Sequence, residues 1–177
     1  MRITEKYIFF YRSNIAQWHM ANMIDPNTGI TYCCAEQWMM RQKALLFDDM
    51  EIAERIMKAA KPKEHQDLGK LVKGFDREVW DANKYNIVAN GNWLKFTQNT
   101  YLLKELLDLP HNKIFVEASP IDLVWGVGLD ENNPKIDDER NWRGQNLLGK
   151  VITETRDRIL EQLSYENNCY TVNKKHD

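Results

Sequence analysis

The sequence lacks the features of secreted and membrane proteins. It has three cysteines among 177 residues, and an odd number with Cys33 next to Cys34 does not build a disulfide framework. No run approaches the roughly 18 apolar residues that span a bilayer, and the first residues, M-R-I-T-E-K-Y, contain no apolar signal region. We therefore predict a soluble protein of the reducing cytoplasm.

A surplus of positive charge is also missing. The formal net charge is −2, and the pI is about 6.1. A protein that coats nucleic acid through a basic surface is excluded by this balance, whereas a local basic pocket is still allowed.

Several catalytic fingerprints are absent. The sequence contains no G-x-x-x-x-G-K-[ST], no G-x-G-x-x-G after a strand, no G-x-S-x-G and no H-E-x-x-H. No Cys/His cluster has zinc spacing, so we predict neither a metal nor a cofactor. The four histidines are scattered through polar or loop contexts and are predicted to be exposed: His19, His65, His111 and His176.

What the sequence does contain is enough apolar material for one domain, because 43% of its residues are hydrophobic. β-branched and aromatic residues predict strands over residues 4–11, 30–32 and 113–118, with the second paired to the first. Residues 62–74 are predicted to be a connector, and residues 119–130 an irregular loop.

Apolar side chains at helical spacing predict five helices. Gly91 is predicted to interrupt the pattern between the third and the fourth. The predicted helices span residues 33–49, the segment from Asp48 or Asp49 to Pro62, and residues 75–90, 93–109 and 145–163.

The first of these helices carries a carboxylate and an amine. Glu36 and Lys43 are seven residues apart, which is close to two turns, so they share one face. Their neighbours are apolar, and a Glu and a Lys are costly to bury unless they are paired or used. A structural ion pair, exposure at the helix edge and a catalytic role all fit this pattern.

Three other places combine polar and aromatic residues. Asp122 and Trp125 lie in the loop shaped by Gly and Pro, as many active-site residues do, although a surface turn has the same composition. Residues 144–146 begin the last helix, where free N–H groups suit a phosphate, or only cap the helix. Gln17 and Trp18 are either site residues or a buried Trp beside a satisfied amide. Together these places predict a pocket for a planar ligand that carries phosphate, without naming a reaction.

In their order and spacing, these segments resemble the NADAR family, also called YbiA-like. Ala16 stands where the family usually has Ser, and the polar insert at residues 131–140 is longer than in compact members. The matching pieces are Gln17-Trp18, G-I-T-Y at 29–32, A-E-Q at 35–37, Q-K-A at 42–44 with Phe47 and Asp49, L-G-K at 68–70, Trp80 with Lys84, K-F at 95–96 with Gln98-Asn99, V-E-A-S at 116–119, Asp122, W-G-V-G at 125–128 and W-R-G-Q-N-L-L-G at 142–149.

The resemblance implies a mainly α-helical single domain with a few short strands, over residues 1–163, followed by a polar tail at 164–177. It implies an N-glycosidase without a metal or cofactor, acting on ribose phosphates. Similar members remove ADP-ribose from the amino group of guanine in nucleic acid, which suggests functional pairing with a DNA ADP-ribosyltransferase. Other members hydrolyse ribosylamine intermediates of riboflavin biosynthesis. A third alternative is a module that binds ADP-ribose or NAD without catalysis. The presence of both Glu36 and Asp122 argues against it, because a binding module would have little need of both.

The chemistry of such a bond assigns roles to the candidates. Glu36 is the predicted general acid/base with a raised pKa, and Asp122 stabilises positive charge at C1 of the ribose or orients water. Lys43 is a candidate for a Schiff base with C1. The candidate substrate-binding residues are Trp18, Trp93 and Trp125, which could stack on the base or adenine, Lys84, Gly144 and Asn146 for phosphate, and Gln17.

Overall fold

A computed structural model describes the backbone of residues 1–173 and the side chains of residues 1–166. The predicted mainly helical fold with a few short strands is confirmed in that part of the chain. Its elements are β1 (Arg2–Ile3), β2 (Tyr7–Phe10), β3 (Met20–Ile24), β4 (Thr31–Cys34), α1 (Ala35–Leu46), α2 (Met50–Lys58), α3 (Pro62–Gly69), α4 (Arg77–Gln98), α5 (Thr100–Asp108), β5 (Ile114–Glu117), a 3-10 turn (Glu139–Asn141) and α6 (Leu147–Asn173).

The strands form two small sheets. β2 lies between β1, which is antiparallel to it, and β5, which is parallel to it with Phe10 opposite Glu117. β4 pairs with β3, so its predicted pairing with the first strand is wrong. The turn between β3 and β4 explains the pairing. Asp25 accepts hydrogen bonds from Asn27 N–H and the Thr28 hydroxyl, and Gly29 has a φ of 71°, which folds the chain back tightly.

α1 lies at the centre of the helices and packs against α2, α3 and α4. Cys34 caps its start by accepting a hydrogen bond from Gln37 N–H. Gln37 Nε2 donates to Ile56 O of α2 at 3.1 Å, and Trp38 Nε1 donates to Ile87 O of α4 at 2.8 Å. These bonds satisfy the donors of Gln37 Nε2 and Trp38 Nε1 in a helix whose first six residues are all buried.

The predicted break at Gly91 is wrong, because α4 continues through it to Gln98. Gly91 faces α1, and a Cβ there would lie 2.5 Å from Cδ1 of Trp38. The glycine therefore serves close packing of two helices, and the chain turns only at Asn99, before α5.

Two further boundaries differ from the prediction. The predicted connector contains α3, which begins with Pro62 at its first position, while Glu64 accepts from the N–H groups of Ala60 and Lys61. α6 continues ten residues beyond the predicted end at Leu163, to Asn173, and residues 174–177 of the predicted tail lie outside the described residues. No helix in the described part of the chain is long and apolar enough to cross a membrane.

Candidate active site

The candidate site lies at the carboxyl ends of the parallel strands β2 and β5, which finish side by side. Such ends are the usual place for ligands, because the loops that follow the strands lie side by side there. Residues 11–18 follow β2, and residues 118–126 follow β5. The start of α1 joins them through Glu36 N–H, which donates to Gln17 O at 3.1 Å.

Glu36 is a buried carboxyl group with a free oxygen. Glu36 is 3% exposed, and its Oε1 has no hydrogen-bond partner among the described residues. Burial raises the pKa of Glu36 to about 8, and the negative charge of Asp122 raises it further, whereas Trp18 and Lys70 act in the opposite direction. Glu36 is therefore a neutral acid at pH 7, able to donate a proton.

Asp122 faces Glu36 from the loop after β5. Its Oδ1 accepts from the N–H groups of Val124 and Trp125, both at 2.8 Å, and its own N–H donates to Ser119 Oγ at 3.3 Å. These bonds fix the loop around the carboxylate. The side chain of Trp125 is half-buried and packs against the main core, which ties the loop to the body of the domain.

A second buried carboxyl group, Glu117, was not among the predicted site residues. It is 8% exposed, and its Oε2 has no partner in the described part of the chain. Burial raises the pKa of Glu117 to about 8, Asp122 adds to this effect, and Lys95 opposes it. The charge of Asp122 thus raises the pKa of both Glu36 and Glu117, so the site brings together three carboxyl groups.

Lys95 was also missed. Its ammonium is buried and donates to Asn14 O and Ala16 O, both at 2.8 Å, which fixes the segment before Gln17. Burial lowers the pKa of Lys95 to about 7, while the charge of Glu117 acts in the opposite direction. Lys95 therefore holds the wall of the site that carries Gln17, and its Nζ lies close enough to Glu117 for the two groups to influence each other's pKa.

Gln17 and Asn92 complete a set of open polar atoms. Asn92 Nδ2 donates to Gln17 Oε1 at 2.9 Å, but Gln17 Nε2 and Asn92 Oδ1 are buried without partners among the described side chains. Buried polar atoms are nearly always satisfied, so several open ones around Glu36 and Glu117 indicate a pocket for a polar ligand.

A sequence signal existed for both missed residues. Glu117 is the one charged residue of the strand I-F-V-E, and Lys95 lies between the buried Leu94 and Phe96. An isolated charge within an apolar segment has to find a partner or a use. Both residues also belong to matching pieces of the NADAR resemblance, K-F at 95–96 and V-E-A-S at 116–119, but no catalytic or binding role was predicted for either.

The structure separates Lys43 from Glu36. No ion pair joins them within the described residues, so the structural ion-pair interpretation is wrong. Lys43 Nζ donates to Gly69 O at 2.8 Å and lies 4.4 Å from the centre of the Phe75 ring. Burial lowers the pKa of Lys43. Both residues nevertheless keep the same face of α1, with Met40 between them in contact with Gly69.

The expectation of free N–H groups at the start of α6 is also wrong. The N–H groups of residues 145–148 all donate to carbonyls of residues 123–126. Asn146 Oδ1 accepts from Glu117 N–H, and its Nδ2 donates to Phe115 O, both at 3.0 Å. Gly144 permits the close approach of this turn to residues 123–126, since a Cβ there would lie 2.2 Å from Gly126 O. The turn therefore positions Glu117.

The other predicted binding residues lie in different surroundings. Trp18 is 43% exposed and stands beside Glu36. Lys84 is buried and paired with Asp81, one turn earlier on α4. The ring of Trp93 lies 4.0 Å from the guanidinium of Arg158 and packs against the core. Lys84 thus pairs within α4, and Trp93 packs beside Arg158 of α6 and against the cluster that contains Trp38. No hydrogen bond or ion pair joins either side chain to Glu36 among the described residues.

One cluster offers atoms that could hold a metal ion. A ligand atom from each of Cys33, Cys34 and His65 lies within 4.8 Å of the others. His65, predicted to be exposed, is fully buried. Its Nδ1 lies 3.6 Å from Cys34 Sγ and its Nε2 3.0 Å from Ala59 O. Burial raises the pKa of Cys34 to about 12. Because these atoms already have partners, we assign the cluster to the cap of α1.

Comparisons with known proteins show what the chain is similar to. N-glycosidase R617 of Acanthamoeba polyphaga mimivirus is 41% identical over 165 residues, which cover 87% of this chain and 96% of that protein. The riboflavin biosynthesis protein PYRR of Zea mays, a longer chain, is 29% identical over 150 residues, which cover 80% of this chain and 22% of that protein.

The fold has a solved counterpart in the E. coli protein YbiA, determined by NMR. The TM-score is 0.68 at 24% identity, and the match covers 92% of this chain and 90% of that one. The NADAR domain model matches residues 4–160. The chain therefore belongs to the NADAR domain family.

Proposed function

We propose that the protein removes ADP-ribose from the amino group of guanine in nucleic acid and so reverses ADP-ribosylation. The class of reaction is the firmer part, since the chain is a hydrolase that acts on an N-glycosidic bond, as the name of its relative R617 states for that protein. One observation carries the proposal: Glu36 and Glu117 are buried, keep an open oxygen each and lie near the charge of Asp122.

In the proposed reaction, Glu36 donates its proton to the exocyclic nitrogen as the bond from C1 of the ribose to nitrogen breaks. The electron pair of that bond leaves with the nitrogen, and the charge of Asp122 stabilises the electron-poor C1. Water then adds to C1 and returns a proton to the Glu36 carboxylate. Glu117, neutral at pH 7, donates a hydrogen bond to a ribose hydroxyl.

The guanine substrate is supported by the motifs shared with members that act on ADP-ribosylated guanine. The exposed ring of Trp18 beside Glu36 offers a face on which a base can stack, worth about 1–3 kcal/mol. An exposed ring also suits a base that is still attached to a nucleic acid strand, because a closed pocket would exclude the strand.

A second candidate substrate is a ribosylamine intermediate of riboflavin biosynthesis. The name of the relative PYRR from Zea mays favours it. Both substrates link an aniline-like nitrogen to C1 of a ribose phosphate, so the roles of Glu36 and Asp122 are the same for either.

The test is to incubate the protein with guanine-ADP-ribosylated DNA and, separately, with the riboflavin-pathway ribosylamine, and to quantify the released sugar phosphate. We expect release of ADP-ribose from the DNA, and none from it with the Glu36→Gln variant. Release from the ribosylamine alone would replace the first substrate by the second. No release from either, together with micromolar ADP-ribose binding, would contradict the proposal in favour of a binding module.

A further inference from the structure

We propose that Arg12 and Ser13 form the subsite for the 5′-phosphoryl group of the ribose, in place of the predicted phosphate residues Lys84, Gly144 and Asn146, whose polar groups bind other parts of the fold. The inference rests on the proposed function in one respect, namely that the substrate is a ribose phosphate. It concerns binding and does not depend on which base leaves.

The sheet register places this segment at the site. Phe10 is opposite Glu117, and Ala118 N–H donates to Phe10 O at 2.8 Å. Arg12 follows Phe10 by two residues, so it leaves the same edge of the sheet as the loop that carries Asp122. A phosphoryl group bound by Arg12 would therefore lie on the same side of the sheet as the three carboxyl groups.

The backbone at Arg12 is unusual and is fixed. Its φ is 50°, in the left-handed region that a long side chain rarely adopts. Such positions persist only where the surroundings hold them, and they are frequent at ligand sites. Here Lys95 holds the following residues through Asn14 O and Ala16 O. The backbone that follows Arg12 is thus held in place at Asn14 and Ala16, next to the residue with the left-handed conformation.

The side chains on this segment have unused donors. The Arg12 guanidinium is exposed, lies 5.1 Å from the centre of the Tyr11 ring and takes part in no ion pair among the described residues. The neighbouring Ser13 Oγ is buried and has no partner in that part of the chain. A guanidinium and a hydroxyl are the groups that bind a phosphoryl oxygen, the first through two parallel hydrogen bonds.

Charge balance gives this subsite a purpose. The site contains Glu36, Glu117 and Asp122, and Asp122 alone would repel an anionic sugar phosphate. The positive charge of Arg12 offsets that repulsion, and Arg12 forms no ion pair with these carboxyl groups among the described residues. Ribose 5-phosphate and ADP-ribose share the 5′-phosphoryl group, and both should use the subsite.

The experiment measures equilibrium binding of ribose 5-phosphate, ADP-ribose and plain ribose by calorimetry. The variants are Arg12→Gln, which removes the charge, Arg12→Lys, which keeps the charge but loses the planar fork, and Ser13→Ala. Arg77→Gln is the control, because it removes the same charge from a side chain that is 83% exposed on α4. Binding of these products does not require turnover, so the result is independent of whether the proposed reaction takes place.

We expect Arg12→Gln to weaken binding of both phosphate ligands about tenfold or more, as loss of hydrogen bonds to a charged group does, and to leave ribose unchanged. Arg12→Lys should recover part of the loss, and Ser13→Ala should cause a smaller one. If Arg12→Gln weakens the binding of ribose 5-phosphate more than that of ADP-ribose, the subsite prefers a terminal phosphate to the diphosphate of ADP-ribose. Wild-type affinity in Arg12→Gln, an equal loss in Arg77→Gln, or no preference of the wild type for phosphate over ribose would overturn the proposal.

Discussion

At the scale of the residue, the site depends on keeping carboxyl groups protonated at neutral pH. Glu36 and Glu117 achieve this by burial, and each is further influenced by Asp122. Asp122 instead accepts hydrogen bonds from the N–H groups of Val124 and Trp125 in its own loop. Different surroundings thus fit the proposed division of roles, with Glu36 as acid and Asp122 as charge stabiliser.

Lys43 allows a direct test of the covalent route. If the sugar opens to an imine and Lys43 attacks C1, borohydride added during turnover should leave a stable adduct on the wild type and none on Lys43→Ala, detected by intact-protein mass spectrometry. Burial lowers the pKa of Lys43, which favours the neutral amine, but its Nζ donates to Gly69 O and would have to leave this partner to attack C1. An active wild type that gives no adduct would favour direct attack by water.

At the scale of the element, the close contact of α1 and α4 depends on Gly91. We expect Gly91→Ala to destabilise the protein by about 1–3 kcal/mol, because the added Cβ meets Trp38 and overpacking outweighs the gain in helix propensity. Chemical denaturation monitored by circular dichroism measures the free energy of unfolding. Asn90→Ala, at an exposed position of the same helix, should be neutral or stabilising. A stabilised Gly91→Ala would show that α1 can move away without cost.

The same residue shows what sequence patterns can and cannot predict. Apolar spacing correctly predicts α1 and most of α4, because helical periodicity is local information. It cannot tell a glycine that breaks a helix from one that admits a neighbouring Trp, since that depends on a contact across 53 positions of the sequence. Strand pairing failed for the same reason, because β4 pairs with β3 through a turn whose side-chain hydrogen bonds are invisible in a pattern of apolar residues.

The site follows a similar division. Glu36 and Asp122 stood out because each lies in a segment with a recognisable pattern, and the fold brings them together. Glu117 and Lys95 are single charges in apolar segments, and their proximity arises from the parallel register of β2 and β5 and from the packing of α4. Asn146 lies at a predicted site position, but its amide is used by β5, which only the folded chain reveals.

At the scale of the whole molecule, the buried carboxyl groups make stability depend on pH. Glu117 has a pKa of about 8 in the folded protein against 4.5 for the free side chain. Between these values the native state binds more protons than the unfolded state, so stability falls as pH rises through this window. The change for one such group is at most about 1.4 kcal/mol per pH unit. Lys95, whose pKa of about 7 lies below its free value, acts in the opposite direction above pH 7.

Glu117→Gln tests this dependence, because it keeps the shape of the side chain and removes its titration. We expect the melting temperature of the variant to rise relative to wild type between pH 5 and pH 7, where Lys95 has little influence. Glu78→Gln, at an exposed position of α4, is the control. The difference between its melting temperature and that of the wild type should stay constant over this pH range. A difference that does not change with pH for Glu117→Gln would mean that Glu117 is not protonated in the native state.

The role of Glu36 as the general acid is tested most directly by the rate of hydrolysis. The rate is compared for wild type and Glu36→Gln on ADP-ribosylated DNA, with the ribosylamine as second substrate. Glutamine fits the same buried position but cannot donate the proton, so the rate should fall about 10²–10⁴-fold with an unchanged circular dichroism spectrum. The wild-type rate should also decline as pH rises through about 8, when Glu36 loses its proton. Hydrolysis by folded Glu36→Gln at the wild-type rate would contradict the assignment of Glu36 as the general acid.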